Sequence, residues 1–156
     1  MSGTPPSLTA LTTYLLSKVG KHARGELAER LASRRLRLWH MATLAALADF
    51  GPRAQRELSD LLAIHTSDTA KLLDELTRRG DVTRDRDPAD RRRVLVAVTP
   101  AGRRTLADLQ ADATAVQDTL LAPLTAEETA VLHGLLLRLY EEAGRNRDGA
   151  RGGDSG

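Results

Sequence analysis

Residues 58–102 read LSDLLAIHTSDTAKLLDELTRRGDVTRDRDPADRRRVLVAVTPAG. Residues 54–63 carry Leu58, Leu61 and Leu62 and predict a short helix. Thr66 is a candidate N-cap for the next helix, with Ser67 and Asp68 in its first turn. A hydroxyl and a carboxylate there suit the free N–H groups and the helix dipole. This second helix runs to about Arg79 and is expected to bury Ala70, Leu73 and Leu76. Gly80 fits the left-handed position just past its end. Residues 82–86 and 93–99 read as paired strands, because Val94, Val96 and Val98 alternate with Leu95 and Ala97. The intervening DPAD, residues 87–90, has turn chemistry.

Helix, turn, helix and basic hairpin in this order is the layout of a winged helix-turn-helix, so the predicted fold is mainly α with a small β-hairpin wing. It sets a recognition helix beside an Arg-rich hairpin, the geometry that grips duplex DNA at a major groove and the neighbouring backbone. Upstream, Leu8, Leu11, Leu15, Val19, Leu27 and Leu31 recur at helical spacing, after a loose lead-in over residues 1–6. Gly20 and Gly25 each cost roughly 1 kcal/mol against Ala inside a helix and predict a bend. After a joint at 33–35, a helix over 36–50 puts Leu36, His40, Thr43, Leu44 and Leu47 on one stripe, and Gly51-Pro52 stops it. Downstream, Thr99 and Pro100 open a helix to about Leu121, with Thr99 as its cap. Pro123 breaks it. Thr125 and Glu128 then form a capping-box pattern for a last helix, whose stripe is Val131, Leu132, Leu135, Leu136 and Leu139.

The long helices outside the module have apolar stripes but no sheet to cover. Two chains would bury them against each other; packing within one chain is the alternative. The expected organisation is therefore an N-terminal helix of a dimerisation lobe over 1–35, a winged helix-turn-helix over 36–99 and C-terminal dimerisation helices over 100–145. Residues 144–156 hold five Gly and no large apolar side chain, so a disordered tail is expected over 146–156.

Asp90-Arg91-Arg92 followed by Val94-Leu95-Val96, Val98-Thr99 and Gly102, with Leu58-Ser59, Leu76, Gly80, Val82 and Arg84 upstream, closely resembles the wing signature of the MarR family of bacterial transcription regulators. The match spans residues 58–102; outside it the helical layout agrees but no motif does. The resemblance implies a homodimer whose two recognition helices read a pseudo-palindromic operator. It implies that Asp90 braces the wing, that Arg92 reaches DNA, and that Arg84 holds a basic position of the pattern. It also implies an effector cleft between the DNA and dimer lobes.

Charge and composition narrow the reading. The 156 residues suffice for one compact domain, or for a small module plus helices that need a partner. Net charge is only +2, yet Arg78–Arg104 holds nine Arg against four Asp, a local net of +5 that suits a polyanion. No cysteine is present, which excludes disulfides, thiolate metal sites and thiol-based oxidant sensing. No apolar run approaches a membrane span, and no basic-then-apolar leader opens the chain, so a cytoplasmic protein is expected.

The candidate DNA-binding residues are Thr66, Ser67, Asp68, Thr69 and Lys71 on the recognition helix, and Arg84, Arg86, Arg91, Arg92 and Arg93 on the wing. Hydroxyls specify bases weakly, and Lys71 suits a phosphate or a guanine. Asp68 either accepts from a cytosine amine or serves the helix start. The wing arginines either track phosphates or enter a minor groove; paired with Asp85, Asp87 and Asp90 they would be only a solvated cluster. Lys18, His22, Trp39 and His40 are candidate effector-binding residues, placed near the cleft that the resemblance implies and suited to a small anion such as a carboxylate. Alternatively His40 is a hydrogen-bonded core residue and the cations face water. No His/Asp/Glu set has metal-ligand spacing, and no phosphate loop, HExxH or nucleophile arrangement stands out. No metal, cofactor or catalytic residue is therefore expected, and the chain reads as a regulator rather than an enzyme. A ligand-released repressor leads; an architectural DNA-binding protein without an effector is the alternative.

Overall fold

The computed structural model describes residues 3–151, with side chains to 147. Among them run α1 (Pro6–Thr9), α2 (Thr12–Ser33), α3 (Leu38–Phe50), β1 (Arg53–Ala54), α4 (Gln55–Leu62), α5 (Thr66–Arg78), β2 (Val82–Arg86), β3 (Val94–Val98), α6 (Pro100–Leu121) and α7 (Ala126–Arg151). The chain divides into two compact units, Met1–Val116 and Gln117–Gly156, with the division inside α6.

The first unit is organised around the stripe of α3. His40, Thr43, Leu44 and Leu47 are buried with Leu36, as their spacing predicts. Against them pack Leu31 of α2, Leu58 of α4, Leu73 and Leu76 of α5, Val82 and Val96 of the sheet, and Leu106 and Leu109 of α6. Leucines dominate because aromatics are scarce, at 3% of the chain. The core ties every element of the helix-turn-helix to one apolar mass, which fixes α5 relative to the hairpin.

The sheet has three antiparallel strands in the order β1-β3-β2. In β2·β3, Arg84 faces Val96 and Arg86 faces Val94. Arg53 faces Val96 on the other edge, a pairing of two residues that the sequence reading missed. A strand so short carries no alternation to detect.

Chain punctuation follows local chemistry. Gly80 has φ +79°; its amide bonds the Thr77 carbonyl at 3.0 Å and Asp81's bonds Leu76's at 2.9 Å, closing α5 in a Schellman motif. Thr99 caps α6: its hydroxyl accepts the Gly102 amide at 3.0 Å and lies 2.6 Å from the Gly80 carbonyl. Thr125 and Glu128 complete the reciprocal box at the start of α7. Thr99→Ala should cost about 1 kcal/mol of stability in denaturant unfolding, the usual loss for an N-cap hydroxyl. An unchanged midpoint would mean that the cap contributes nothing.

Four expectations need correction. The first long helix breaks at Ala10–Leu11, and α2 is one uninterrupted helix through Gly20 and Gly25. Both glycines are exposed and lower helix propensity without interrupting the helix. The lead-in ends sooner, since Pro6 already opens α1. Thr66 is the first helical residue rather than the N-cap; the cap is His65, without a side-chain bond. Finally, α7 continues to Arg151, so residues 146–151 are helical where disorder was expected, and 152–156 lie outside the described residues. No proline interrupts that segment, and Arg145 pairs with Glu142 one turn back at 2.5 Å.

Candidate nucleic-acid interface

The helix pair is joined by a tight turn. Ala63 takes a left-handed conformation, φ 53°, and the Ile64 amide returns to the Ser59 carbonyl at 3.1 Å. Ser59 Oγ lies 2.8 Å from Thr69 Oγ1, whose hydroxyl donates to the His65 carbonyl at 3.1 Å. Both residues are buried, so this polar link fixes how α5 leaves α4. Thr69 is therefore withdrawn from the expected DNA-facing set: it shares the inner stripe with Leu73 and Leu76. Thr66, Ser67, Asp68 and Lys71 are exposed, as a helix end entering a groove requires.

Ser67, Lys71, Asp74 and Arg78 form an outward row at helical spacing. Asp74 takes the Arg84 guanidinium at 2.8 Å, and the same guanidinium nitrogen reaches the Ala70 carbonyl at 3.5 Å. Arg84 thus ties β2 to α5 and is half-buried.

The wing turn is built by two aspartates. Asp87 Oδ1 accepts the Ala89 amide at 2.9 Å, and Asp90 Oδ1 accepts the Arg92 amide at 3.1 Å. The Asp87 amide meets the Arg93 carbonyl, and the Arg93 amide meets the Asp90 carbonyl, both at 2.9 Å. Asp87 and Asp90 hold backbone N–H groups, and among the described residues no ion pair joins Asp85, Asp87 or Asp90 to Arg91, Arg92 or Arg93. The five wing arginines divide by their partners. Arg84 is held by Asp74, Arg93 by Glu57 of α4, and Arg86 by the Arg91 carbonyl at 2.7 Å. Among the described residues, the guanidinium groups of Arg91 and Arg92 have no protein carboxylate, and both are exposed.

The four effector candidates lie in the first unit but differ in setting. His22 is exposed, Trp39 is 46% exposed, and the Lys18 ammonium sits 5.3 Å from the Tyr14 ring centroid. His40 is 1% exposed and both ring nitrogens are engaged. Nδ1 accepts the Arg37 amide at 2.9 Å, and Nε2 is 2.5 Å from Glu75 Oε2. His40 is a core residue, and its assignment as an effector ligand is withdrawn. Burial pushes its imidazole below the ordinary range, against the opposing pull of Glu75. Desolvation alone would raise Glu75, but the bonds and charges of His40 and Arg37 outweigh it and leave the carboxyl below its usual range.

Sequence reasoning missed Glu57, Asp74, Glu75 and Asp81. Asp81 is buried and accepts from Arg79 Nε at 3.0 Å and Thr105 Oγ1 at 2.8 Å. Each of the four pairs with a residue on another element or across a turn, which no local period reveals. Among the described residues there is no His/Cys/Asp/Glu group that would hold a metal, and no single helix is long and apolar enough to cross a membrane.

Comparison with known proteins agrees with this architecture. The profile described as the MarR family matches residues 36–93, from the start of α3 to the wing. The HTH-type transcriptional repressor NicR of Pseudomonas putida is 26% identical over 141 residues, 90% of this chain and 89% of that protein. A probable transcriptional regulator from Pseudomonas aeruginosa is 32% identical in its crystal structure, with a TM-score of 0.68 over 85% of this chain and 98% of that one. Wild-type MarR from E. coli, in its apo form, is 25% identical with a TM-score of 0.74, over 83% and 96% of the two chains. With the exposed end of α5, the aspartate-built wing turn and these relatives in agreement, residues 36–93 belong to the MarR family of winged helix-turn-helix transcription regulators.

Proposed function

We propose that this regulator is a homodimeric repressor that reads a pseudo-palindromic operator through α5 and the wing. The observation that carries the reading is the division among the wing arginines. Three are held by the protein, while Arg91 and Arg92 stand at the tip without a carboxylate, beside the exposed Thr66, Ser67, Asp68 and Lys71. An unpaired guanidinium pair on a rigid turn supplies phosphate or minor-groove contacts without first breaking an ion pair.

The dimer reading rests on unburied apolar surface. On α2, Leu15, Leu16 and Val19 are 44–50% exposed, and on α7, Val131, Leu135 and Leu139 are 49–61% exposed. A groove of about 630 Å³ at the start of α7 is lined by Leu124, Val131, Leu132 and Leu135. We assign the surfaces over residues 1–35 and 100–145 to a second copy, since stripes of this extent on a single chain mark an interface.

The effector, in this reading, is a small anion held near Lys18 and His22 of α2 and Trp39 of α3. The withdrawal of His40 removes one cation from that set and favours, as a second reading, constitutive DNA binding without an effector. A footprint on the protein's own upstream region, with and without a panel of di- and tricarboxylates, separates the two. Protection released by an acid, and not released in a Lys18→Ala variant, supports the first; indifference to every acid leaves the second.

Arg92→Ala should weaken operator binding by about 1–3 kcal/mol with an unchanged melting temperature, because a hairpin tip has little core to lose. Lys71→Ala should weaken binding more evenly across sequences if its partner is a phosphate. Two variants that bind like wild type would displace the interface from this face.

A further inference from the structure

His40 stands at the third position of α3, where its Nδ1 accepts the Arg37 amide at 2.9 Å. Arg37 has no acceptor to return the bond, so the His40 amide goes instead to the Arg37 carbonyl at 3.0 Å. The other ring nitrogen, Nε2, is 2.5 Å from Glu75 Oε2 on the recognition helix, and Arg37 Nη2 reaches the two oxygens of that carboxylate at 3.2 and 3.0 Å. A backbone N–H can only donate. Nδ1 therefore carries no proton, and the single proton of the neutral ring sits on Nε2, toward Glu75.

A second proton has one place to go. It would occupy Nδ1 and face the Arg37 N–H, donor against donor, in a site that is 1% exposed. Either the bond at the start of α3 breaks or the ring leaves Glu75. We propose that His40 is a positioning residue for DNA binding: its neutral imidazole ties the start of α3 to Glu75 and holds the recognition helix, and acid releases it. This rests on α5 being the recognition helix. The charged groups facing the ring are Glu75 on α5, Arg37 ahead of α3 and Arg79 at the end of α5. Glu75 favours the second proton; burial and the two guanidiniums oppose it, and the opposition wins. Because the folded value lies below the ordinary 6.5, the clamp is fully present above that pH and is lost as pH falls beneath it.

Gln is the discriminating substitution. Its amide oxygen and nitrogen are spaced much like the two ring nitrogens, so it can accept from Arg37 and donate to Glu75, and it does not titrate. Every protein tested carries His65→Gln, so that the exposed imidazole at the N-cap of α5 takes no part in the comparison. Affinity of the full chain for a duplex from its upstream region is measured by anisotropy at about pH 8 and pH 5.5, at one ionic strength, with circular dichroism at each pH. We expect His40→Gln to match the parent within about twofold at pH 8 and to bind roughly tenfold tighter than the parent at pH 5.5. His40→Leu, which can make neither bond, should be weak at both. Parallel pH profiles for the parent and His40→Gln would overturn the proposal, and so would a loss that coincides with global unfolding. If no protein binds duplex at pH 8, the DNA reading itself has failed. The clamp is then decided by amide spectra: α5 resonances that move with acid in the parent and not in His40→Gln support it, and equal movement overturns it.

Discussion

Gly102→Ala is expected to destabilise the first unit by about 3 kcal/mol or more, the upper range for forcing a methyl into packed structure. A Cβ at Gly102 would stand 2.0 Å from the Asp81 carbonyl oxygen and 2.8 Å from Val98 Cγ2. The first of these is backbone and cannot swing aside. The Asp81 carbonyl also accepts the Thr99 amide at 3.0 Å, so any retreat opens the joint between the wing base and α6. The gain in helix propensity, about 1 kcal/mol for Ala over Gly, is too small to offset this. Denaturant unfolding at neutral pH reads the difference. A Gly102→Ala protein as stable as wild type would show that the α6–wing joint is soft and has no role in aiming the wing.

Leu135→Asp is expected to dissociate the proposed dimer while sparing the fold of each chain. The side chain is 49% exposed in one chain, so an aspartate there meets water and costs little. In the proposed dimer it is covered by the second copy, where an unpaired carboxylate costs about 3 kcal/mol in each chain. Two such carboxylates, one from each chain, should raise the dimer dissociation constant roughly ten-thousandfold, at 1.4 kcal/mol per factor of ten. Sedimentation should then show a folded monomer at micromolar concentration, and operator affinity should fall with it, because one recognition helix holds one half-site. A Leu135→Asp protein that stays dimeric would place the interface elsewhere.

Much of this molecule can be read without coordinates, for identifiable reasons. The α3 stripe from His40 to Leu47 obeys the helical period, and burial follows it residue by residue. Gly80, Thr99 and the Thr125–Glu128 pair were legible because capping is settled within four residues of chain. Thr69 shows a signal read against its neighbours: it precedes Leu73 by one turn, and the period places it inside, yet its hydroxyl suggested the surface. His40 was legible as a stripe residue, but its partner Glu75 lies 35 residues away, beyond any local pattern. The same holds for Arg84 with Asp74 and Arg93 with Glu57, which separate the arginines held by the protein from Arg91 and Arg92 at the tip. A charge count over the wing cannot make that distinction.

Salt dependence of binding to a palindromic duplex from the upstream region tests the central claim most directly, because it counts phosphates displaced by this surface. For wild type the slope of log affinity against log salt should be on the order of −5 or steeper, as six or more neutralised phosphates require. For the Arg91→Ala, Arg92→Ala double variant it should be shallower by about 4, one unit for each guanidinium lost from two wings. A flat titration of the wild type, or equal slopes for the two proteins, would contradict the assignment of α5 and the wing to DNA.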